Sequence, residues 1–128
     1  MSVQSGACEC GGVRFTARGL RPTVTICHCS QCRRTSGHLW AATRADDTDI
    51  VFQAKESLTW YASSDQAKRG FCDRCGASLF FKPNGSTHTG IAAGCLDGPT
   101  GMTVTRHIYM DDKGDYYPTP DDAEVNGQ

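Results

Sequence analysis

Apolar and β-branched residues along the chain form short runs, which clusters of Gly, Pro, Asn and Asp separate. In Val13-Arg14-Phe15 and Val24-Thr25-Ile26 the apolar and polar positions alternate with a period of two, which is typical of half-buried strands. No amphipathic stretch reaches the ~10–12 residues of an ordinary helix. The predicted strands comprise residues 13–15, 24–26, 39–43, 50–52, 58–61, 79–81, 91–96 and 104–109.

Turn-forming residues lie between these runs at 11–12, 46–49, 83–85 and 97–99. One helical turn is predicted over residues 30–35, with Ser30 as its cap. The pattern therefore predicts a mainly β fold, built from small twisted antiparallel sheets.

Length, hydropathy and charge argue for one domain and against a membrane span or a nucleic-acid-binding face. The 128 residues suffice for one domain, and no apolar run approaches the ~18 residues that a membrane span needs. Residues 1–110 carry a charge balance of +4 and residues 111–128 one of −5. We expect a domain over 1–110, an acidic C-terminal tail over 111–128, and no face for nucleic acid, since metal-bound thiolates would remove most of the positive charge.

The eight cysteines are the unusual feature of the composition. Residues 1–12 contain no basic segment followed by an apolar stretch, so we expect a cytoplasmic protein whose thiols bind metal or do chemistry. Cys72-x-x-Cys75 is followed by Gly76, which accepts the positive φ that a metal-binding turn often needs. Cys8-x-Cys10, if it lies on a strand, projects both sulfurs from one face.

The spacing divides the cysteines into four, three and one. Two clean pairs make a tetrahedral zinc site of the closed, structural kind: Cys8, Cys10, Cys72 and Cys75. Three further cysteines form a separate group, and three protein ligands are typical of a catalytic zinc: Cys27, Cys29 and Cys32. Cys95, in an apolar run, is either a buried small side chain or the fourth ligand that would close the second site. We expect two zinc ions.

Three blocks of this sequence, in this order, resemble the signature of the glutathione-dependent formaldehyde-activating enzyme family, whose domain also occurs in centromere protein V. They are GACECGGVRF at 6–15, CHCSQCRRTSG at 27–37 and FCDRCG at 71–76. The resemblance extends over residues 5–110 and implies a β-tent fold stapled by zinc. It also implies a structural zinc on the group of four cysteines and a catalytic-type zinc on the group of three.

The resemblance and the soft, thiolate-rich second site favour an enzyme that acts at a carbon–sulfur bond. A substrate thiol is a preferred ligand for such a site, which makes glutathione or a glutathione–formaldehyde adduct the expected partner and a lyase the expected class. Arg33, Arg34 and His38 are the candidates for substrate binding, because they follow Cys32 closely. Two alternatives stay open: a non-catalytic, zinc-stabilised binding module and a thiol-based redox or metal sensor.

Overall fold

A computed structural model describes residues 3–118 and 124–126. Within them the chain is mainly β, with one short helix, which confirms the predicted class. The strands are β1 (Val3–Ala7), β2 (Val13–Arg18), β3 (Thr23–Cys27), β4 (Trp40–Asp46), β5 (Ile50–Lys55), β6 (Leu58–Ala62), β7 (Ala67–Cys72), β8 (Ser78–Pro83), β9 (His88–Ala92), β10 (Thr103–Ile108) and β11 (Glu124–Asn126). The helix α1 spans Ser30–Ser36, and 3₁₀ turns occupy Asp47–Asp49, Ala93–Cys95 and Met110–Asp112.

Two sheets make up the fold. The smaller one has the order β1-β2-β5, and the larger one has the order β11-β10-β3-β4-β9-β8-β7-β6. Most neighbouring strands are antiparallel, whereas β10 runs parallel to both β3 and β11. None of the helices in the described part of the chain is long and apolar enough to cross a membrane.

The main core lies between the two sheets. Along β2 the side chains of Val13, Phe15 and Ala17 are buried at alternate positions, as the period-two pattern requires. The ring of Phe15 packs edge-on against Phe80 of the larger sheet, with 5.3 Å between centroids. Cys8 and Cys72 belong to the same buried cluster, so the group of four cysteines is continuous with the main core.

The sequence pattern misses three strands and extends one too far. One of the three, β11, lies within the predicted acidic tail and pairs with β10. Strand β1 has the sequence VQSGA and β7 has the sequence AKRGFC; neither contains the apolar run that predicts a strand, and both are held by pairing with neighbours. The strand predicted over 91–96 ends at Ala92, because a 3₁₀ turn begins at Ala93.

The segment after β10 folds back onto the rest of the molecule. Tyr109 has a φ of 57°, the left-handed region that few non-glycine residues adopt, and Met110 is buried in the turn that follows. Of the acidic tail predicted over 111–128, residues 119–123 and 127–128 lie outside the described residues. Residues 111–118 lie next to α1 and to the end of β3, where Tyr116 and Tyr117 contact histidines.

Candidate metal centres and the adjoining cavity

The first cysteine group has the spacing of a metal site. The Sγ atoms of Cys8, Cys10, Cys72 and Cys75 all lie within 4.8 Å of one another. Cys10 Sγ is 3.7 Å from Cys8 Sγ and 3.6 Å from Cys72 Sγ. Four sulfurs bound to zinc at ~2.3 Å would be about 3.8 Å apart, whereas a disulfide requires ~2.05 Å. All eight cysteines are free, and these four fit a tetrahedral metal ion.

A tight turn after β1 positions the first pair. Cys8 and Cys10 lie in this turn rather than on the strand that the C-x-C spacing favours. Gly11, with a φ of 81°, donates its N–H to the carbonyl of Cys8 at 3.3 Å. The N–H of Val13 donates to Cys8 Sγ at 3.2 Å, and such a contact stabilises a thiolate ligand.

The second pair lies in the turn that ends β7, as the C-x-x-C-G pattern predicts. Gly76 has a φ of 80°, and its N–H donates to the carbonyl of Cys72 at 2.8 Å. The Ser57 hydroxyl lies 3.2 Å from Cys72 Sγ. This contact, followed by the N–H groups of Cys75 and Arg74, lowers the pKa of Cys72 to about 6. A thiol with such a pKa is ready to bind a metal as thiolate at neutral pH.

The remaining three-cysteine group lies where β3 meets α1. The Sγ atoms of Cys27, Cys29 and Cys32 lie within 4.8 Å of one another. Cys27 ends β3, and Cys29 is the N-cap of α1, since its Sγ accepts a hydrogen bond from the N–H of Cys32 at 3.2 Å. The predicted cap, Ser30, is instead the first helical residue. A sulfur thus occupies the position of the usual capping hydroxyl.

A buried arginine, which sequence reasoning missed, contacts this group. Arg69 of β7 is 9% exposed, and its Nη2 donates to Cys32 Sγ at 3.4 Å while its Nε donates to Gln31 Oε1 at 3.0 Å. Its guanidinium lies 4.9 Å from the ring centroid of Phe81 and 5.9 Å from that of Trp40. Contact with the Cys27 thiol, and then with Arg69, lowers the pKa of Cys32 to about 6 despite burial.

Cys95 belongs to neither group. It lies in the 3₁₀ turn after β9, half-buried, and its Sγ donates to the carbonyl of Ala92 at 3.1 Å. Burial raises the pKa of its thiol to about 12. Among the described residues, no fourth Cys, His, Asp or Glu atom joins Cys27, Cys29 and Cys32. The cysteines therefore come together as the four, three and one that their spacing indicates.

The three-cysteine group forms part of the wall of a cavity of about 540 Å³. The floor of this cavity is one face of the larger sheet, because alternate residues of β4, Trp40, Ala42 and Arg44, line it. Trp40 is the cross-strand partner of Cys27, which sets the sulfurs at one end of the floor. Phe81 and Ile108 add apolar surface there. A small molecule in this cavity would contact the cysteine sulfurs directly.

The comparisons with known proteins agree with this geometry. The family model for the glutathione-dependent formaldehyde-activating enzyme matches residues 3–112. The chain belongs to that family. A protein of Schizosaccharomyces pombe named as an uncharacterized lyase is 31% identical over 118 residues, which cover 91% of this chain and 85% of the relative.

A solved structure has a similar fold. The crystal structure of a Rhodobacter sphaeroides protein is 27% identical, with a TM-score of 0.62, and covers 79% of this chain and 99% of its own. Together with the two cysteine groups, this likeness supports the β-tent fold that the signature blocks imply.

The structure places the three predicted substrate-binding residues of this family member outside the cavity lining. Arg33 and Arg34 lie in the last turns of α1. His38 is exposed, and its Nδ1 is 2.7 Å from the Tyr116 hydroxyl. Their role in substrate binding stays a prediction. Arginines from four other segments line the cavity instead: Arg21, Arg44, Arg69 and Arg106.

Local sequence offers little signal for these arginines. Each lies on a different strand or loop, and none is part of a cysteine motif. Strand pairing, and the hydrogen bond that holds the loop before β3 to β4, bring these four arginines to one cavity.

Proposed function

We propose that this protein is a zinc-dependent carbon–sulfur lyase that acts on a thiol–aldehyde adduct such as S-hydroxymethylglutathione. The observation that carries the proposal is the position of Cys27, Cys29 and Cys32 in the wall of the cavity, with no fourth protein ligand among the described residues. The name of the matching family and the lyase name of the fission yeast relative support the reaction class.

The donor set indicates which metal and which substrate atom are preferred. Thiolates are soft ligands that select zinc, and a zinc site with three protein ligands has a position for substrate. Bound there, zinc would supply a soft Lewis acid that favours the thiolate form of a substrate sulfur. The group of four cysteines would hold a second, structural zinc. The eight free cysteines agree with a reducing cytoplasm as the site of action.

The reaction requires one bond to break and one proton to move. In the direction of breakdown, the carbon–sulfur bond of the adduct breaks, the sulfur keeps the electron pair, and the hydroxyl proton leaves as the aldehyde forms. The positive charge of Arg69, held between Phe81 and Trp40, favours the negative charge that develops on the sulfur. The aromatic and aliphatic wall lowers the local dielectric and strengthens this effect.

Tyr109 is our candidate for the residue that exchanges the hydroxyl proton. It lines the cavity, and a phenol can both donate and accept a hydrogen bond. Its backbone is in the left-handed region, with a φ of 57°. Strained conformations of this kind cost ~1–3 kcal/mol and cluster at functional sites.

The proposal is tested by the rate at which glutathione and formaldehyde exchange with their adduct, measured by NMR exchange spectroscopy at equilibrium. We expect the zinc-loaded protein to accelerate the exchange, and Cys29→Ser to abolish the acceleration while one zinc ion is lost. Cys95→Ala is the matched control, because Cys95 belongs to neither group, and it should keep both the zinc and the activity. If the protein binds two zinc ions and does not accelerate the exchange, the lyase proposal is wrong and the non-catalytic binding module remains.

A further inference from the structure

Gln31, the residue before Cys32, is held at both ends of its amide. It lies in the first turn of α1 and lines the cavity. Its Nε2 donates to the carbonyl of Ser63 at 2.9 Å, and its Oε1 accepts a hydrogen bond from Nε of Arg69 at 3.0 Å. Because a carbonyl can only accept and a guanidinium can only donate, these two partners fix the orientation of the amide. Gln31 therefore ties the helix to the loop after β6 and to β7.

The guanidinium of Arg69 is held by contacts of two kinds. It is 4.9 Å from the ring centroid of Phe81 and 5.9 Å from that of Trp40, and the ion pairs found among the described residues do not include it. An aromatic ring attracts the cation as a whole, whereas a hydrogen bond requires one N–H to point at one acceptor. The rings thus restrain where the guanidinium lies, and Gln31 selects which N–H points toward the helix.

The rigid plane of the guanidinium transmits the position of one N–H to the others. All its N–H groups are fixed relative to one another. While Nε is bound to Gln31, Nη2 of Arg69 donates to Cys32 Sγ at 3.4 Å. The two acceptors belong to consecutive residues of α1, so the guanidinium bridges them. Release of Nε would allow Nη2 to turn away from the sulfur.

The acceptor for Nε is a neutral amide, which preserves the charge of Arg69. A carboxylate in this position would pair with the guanidinium and offset its positive charge. Among the residues that the structure describes, no Asp or Glu lines the cavity. The charge of Arg69 therefore acts on the cysteine sulfurs and on a substrate bound beside them.

We propose that Gln31 is a positioning residue for the lyase reaction, which aligns the Arg69 guanidinium on Cys32 Sγ without neutralising it. The inference rests on the proposed function for the chemical step, in which Arg69 favours the negative charge that develops on the substrate sulfur. The alignment itself is tested by metal binding, which needs no substrate.

A double-mutant cycle on zinc affinity shows whether Gln31 acts through Arg69. Competition with a chelator, on the full chain, would measure the affinity of the zinc ion that Cys29→Ser loses. We expect Gln31→Met to weaken this zinc about tenfold, as is typical when a metal ligand loses the support of its hydrogen-bond partner. In the Arg69→Met background the same change should add no further loss. Gln53→Met is the matched control, because Gln53 is exposed on the smaller sheet.

Three outcomes of the cycle would overturn the proposal. Losses that add in the double variant would mean that Gln31 acts through the Ser63 carbonyl rather than through Arg69. Equal zinc affinities in Gln31→Met and Gln53→Met would mean that the contact contributes nothing. Weakening of both zinc ions by Gln31→Met would assign Gln31 to the stability of the whole fold.

Gln31→Glu separates the alignment from the charge. A glutamate still accepts the hydrogen bond from Arg69 Nε but adds a negative charge beside it. We expect this variant to bind the second zinc more tightly than Gln31→Met does, and yet to slow the exchange of glutathione and formaldehyde with their adduct about tenfold relative to the wild type. Zinc affinity no better than that of Gln31→Met would overturn the alignment, and an unchanged exchange rate would overturn the role of the neutral amide.

The two proposals fail in different ways. If the wild-type protein does not accelerate the exchange and the cycle still couples Gln31 to Arg69, the lyase proposal is wrong and Gln31 remains the residue that aligns Arg69. If the wild-type protein accelerates the exchange and the cycle shows no coupling, the lyase proposal stands and the role of Gln31 is refuted.

Discussion

The hydroxyl of Tyr117 lies 2.7 Å from Nδ1 of His28, across 89 residues of chain. His28 is 1% exposed, and its Nε2 lies 2.9 Å from Nδ1 of His107. Both ring nitrogens of a residue between Cys27 and Cys29 are thus held by the C-terminal part of the chain. The residue between these two cysteines is therefore anchored to the C-terminal part of the chain.

Tyr117→Phe should therefore destabilise the protein. The substitution removes the hydroxyl and leaves Nδ1 of a buried ring without its partner, which costs about 1–3 kcal/mol. Urea unfolding of the zinc-loaded protein would measure the loss. Tyr61→Phe is the control, because the Tyr61 side chain is 58% exposed; equal stability of the two variants would show that the Tyr117 contact contributes nothing.

Arg69→Met should weaken metal binding at the three-cysteine group alone. Methionine keeps an apolar chain between Phe81 and Trp40 but removes the N–H that donates to Cys32 Sγ. Loss of such a partner typically lowers metal affinity about 10–100-fold. Competition with a chelator would show one zinc ion released earlier and the other unchanged. Simultaneous release of both ions would mean that Arg69 stabilises the whole fold rather than the second site.

The two cysteine groups should differ in what their loss does to the fold. Cys72 is fully buried within the main core, and a structural zinc contributes about 10–16 kcal/mol in zinc-finger peptides. We expect Cys72→Ser to unfold the chain and Cys29→Ser to release one zinc ion from a folded chain. Circular dichroism and metal analysis by mass spectrometry would separate these outcomes. Comparable unfolding by both variants would make the second metal structural.

Gly6 of β1 is a position where no side chain fits. A Cβ there would lie 2.5 Å from Cζ of the buried Phe15 ring and 3.0 Å from the Cys95 carbonyl oxygen. Gly6→Ala should therefore destabilise the protein by about 1–3 kcal/mol through overpacking. Gly94→Ala is the matched control, since a Cβ at Gly94 has no neighbour within 4 Å. Thermal unfolding that does not distinguish the two variants would contradict this view of the core.

Strand prediction succeeded where one face of a strand is buried in the core. It failed where a strand is held by pairing with neighbouring strands and by packing against their side chains. In β2, Val13, Phe15 and Ala17 face the core, so the period of two is visible in the sequence. In β7, Arg69 and Gly70 are buried as well. Their burial depends on the rings of Phe81 and Trp60, which belong to other strands, and no local pattern reveals it.

The close spacing of the cysteines within each motif was visible in the sequence itself, whereas the fold decides which motifs meet. Ligands of one metal come in closely spaced pairs, because a short turn aims two sulfurs at one point. Cys72, Cys75 and Gly76 carry that information without reference to the rest of the chain. The family likewise followed from contiguous blocks of residues. Local spacing and local turn geometry are properties that a sequence displays directly.

The tertiary structure alone decided which side chains from distant parts of the chain lie near the three-cysteine group. Arg21, Arg44 and Arg106 occupy a loop and two strands that are far apart in sequence, and Tyr117 reaches His28 from the end of the chain. Arg33 and Arg34, which follow Cys32 directly, lie on α1 and do not line the cavity. Strand order and register determine which side chains share a sheet face. Proximity in sequence therefore located the metal ligands but not the arginines that line the cavity.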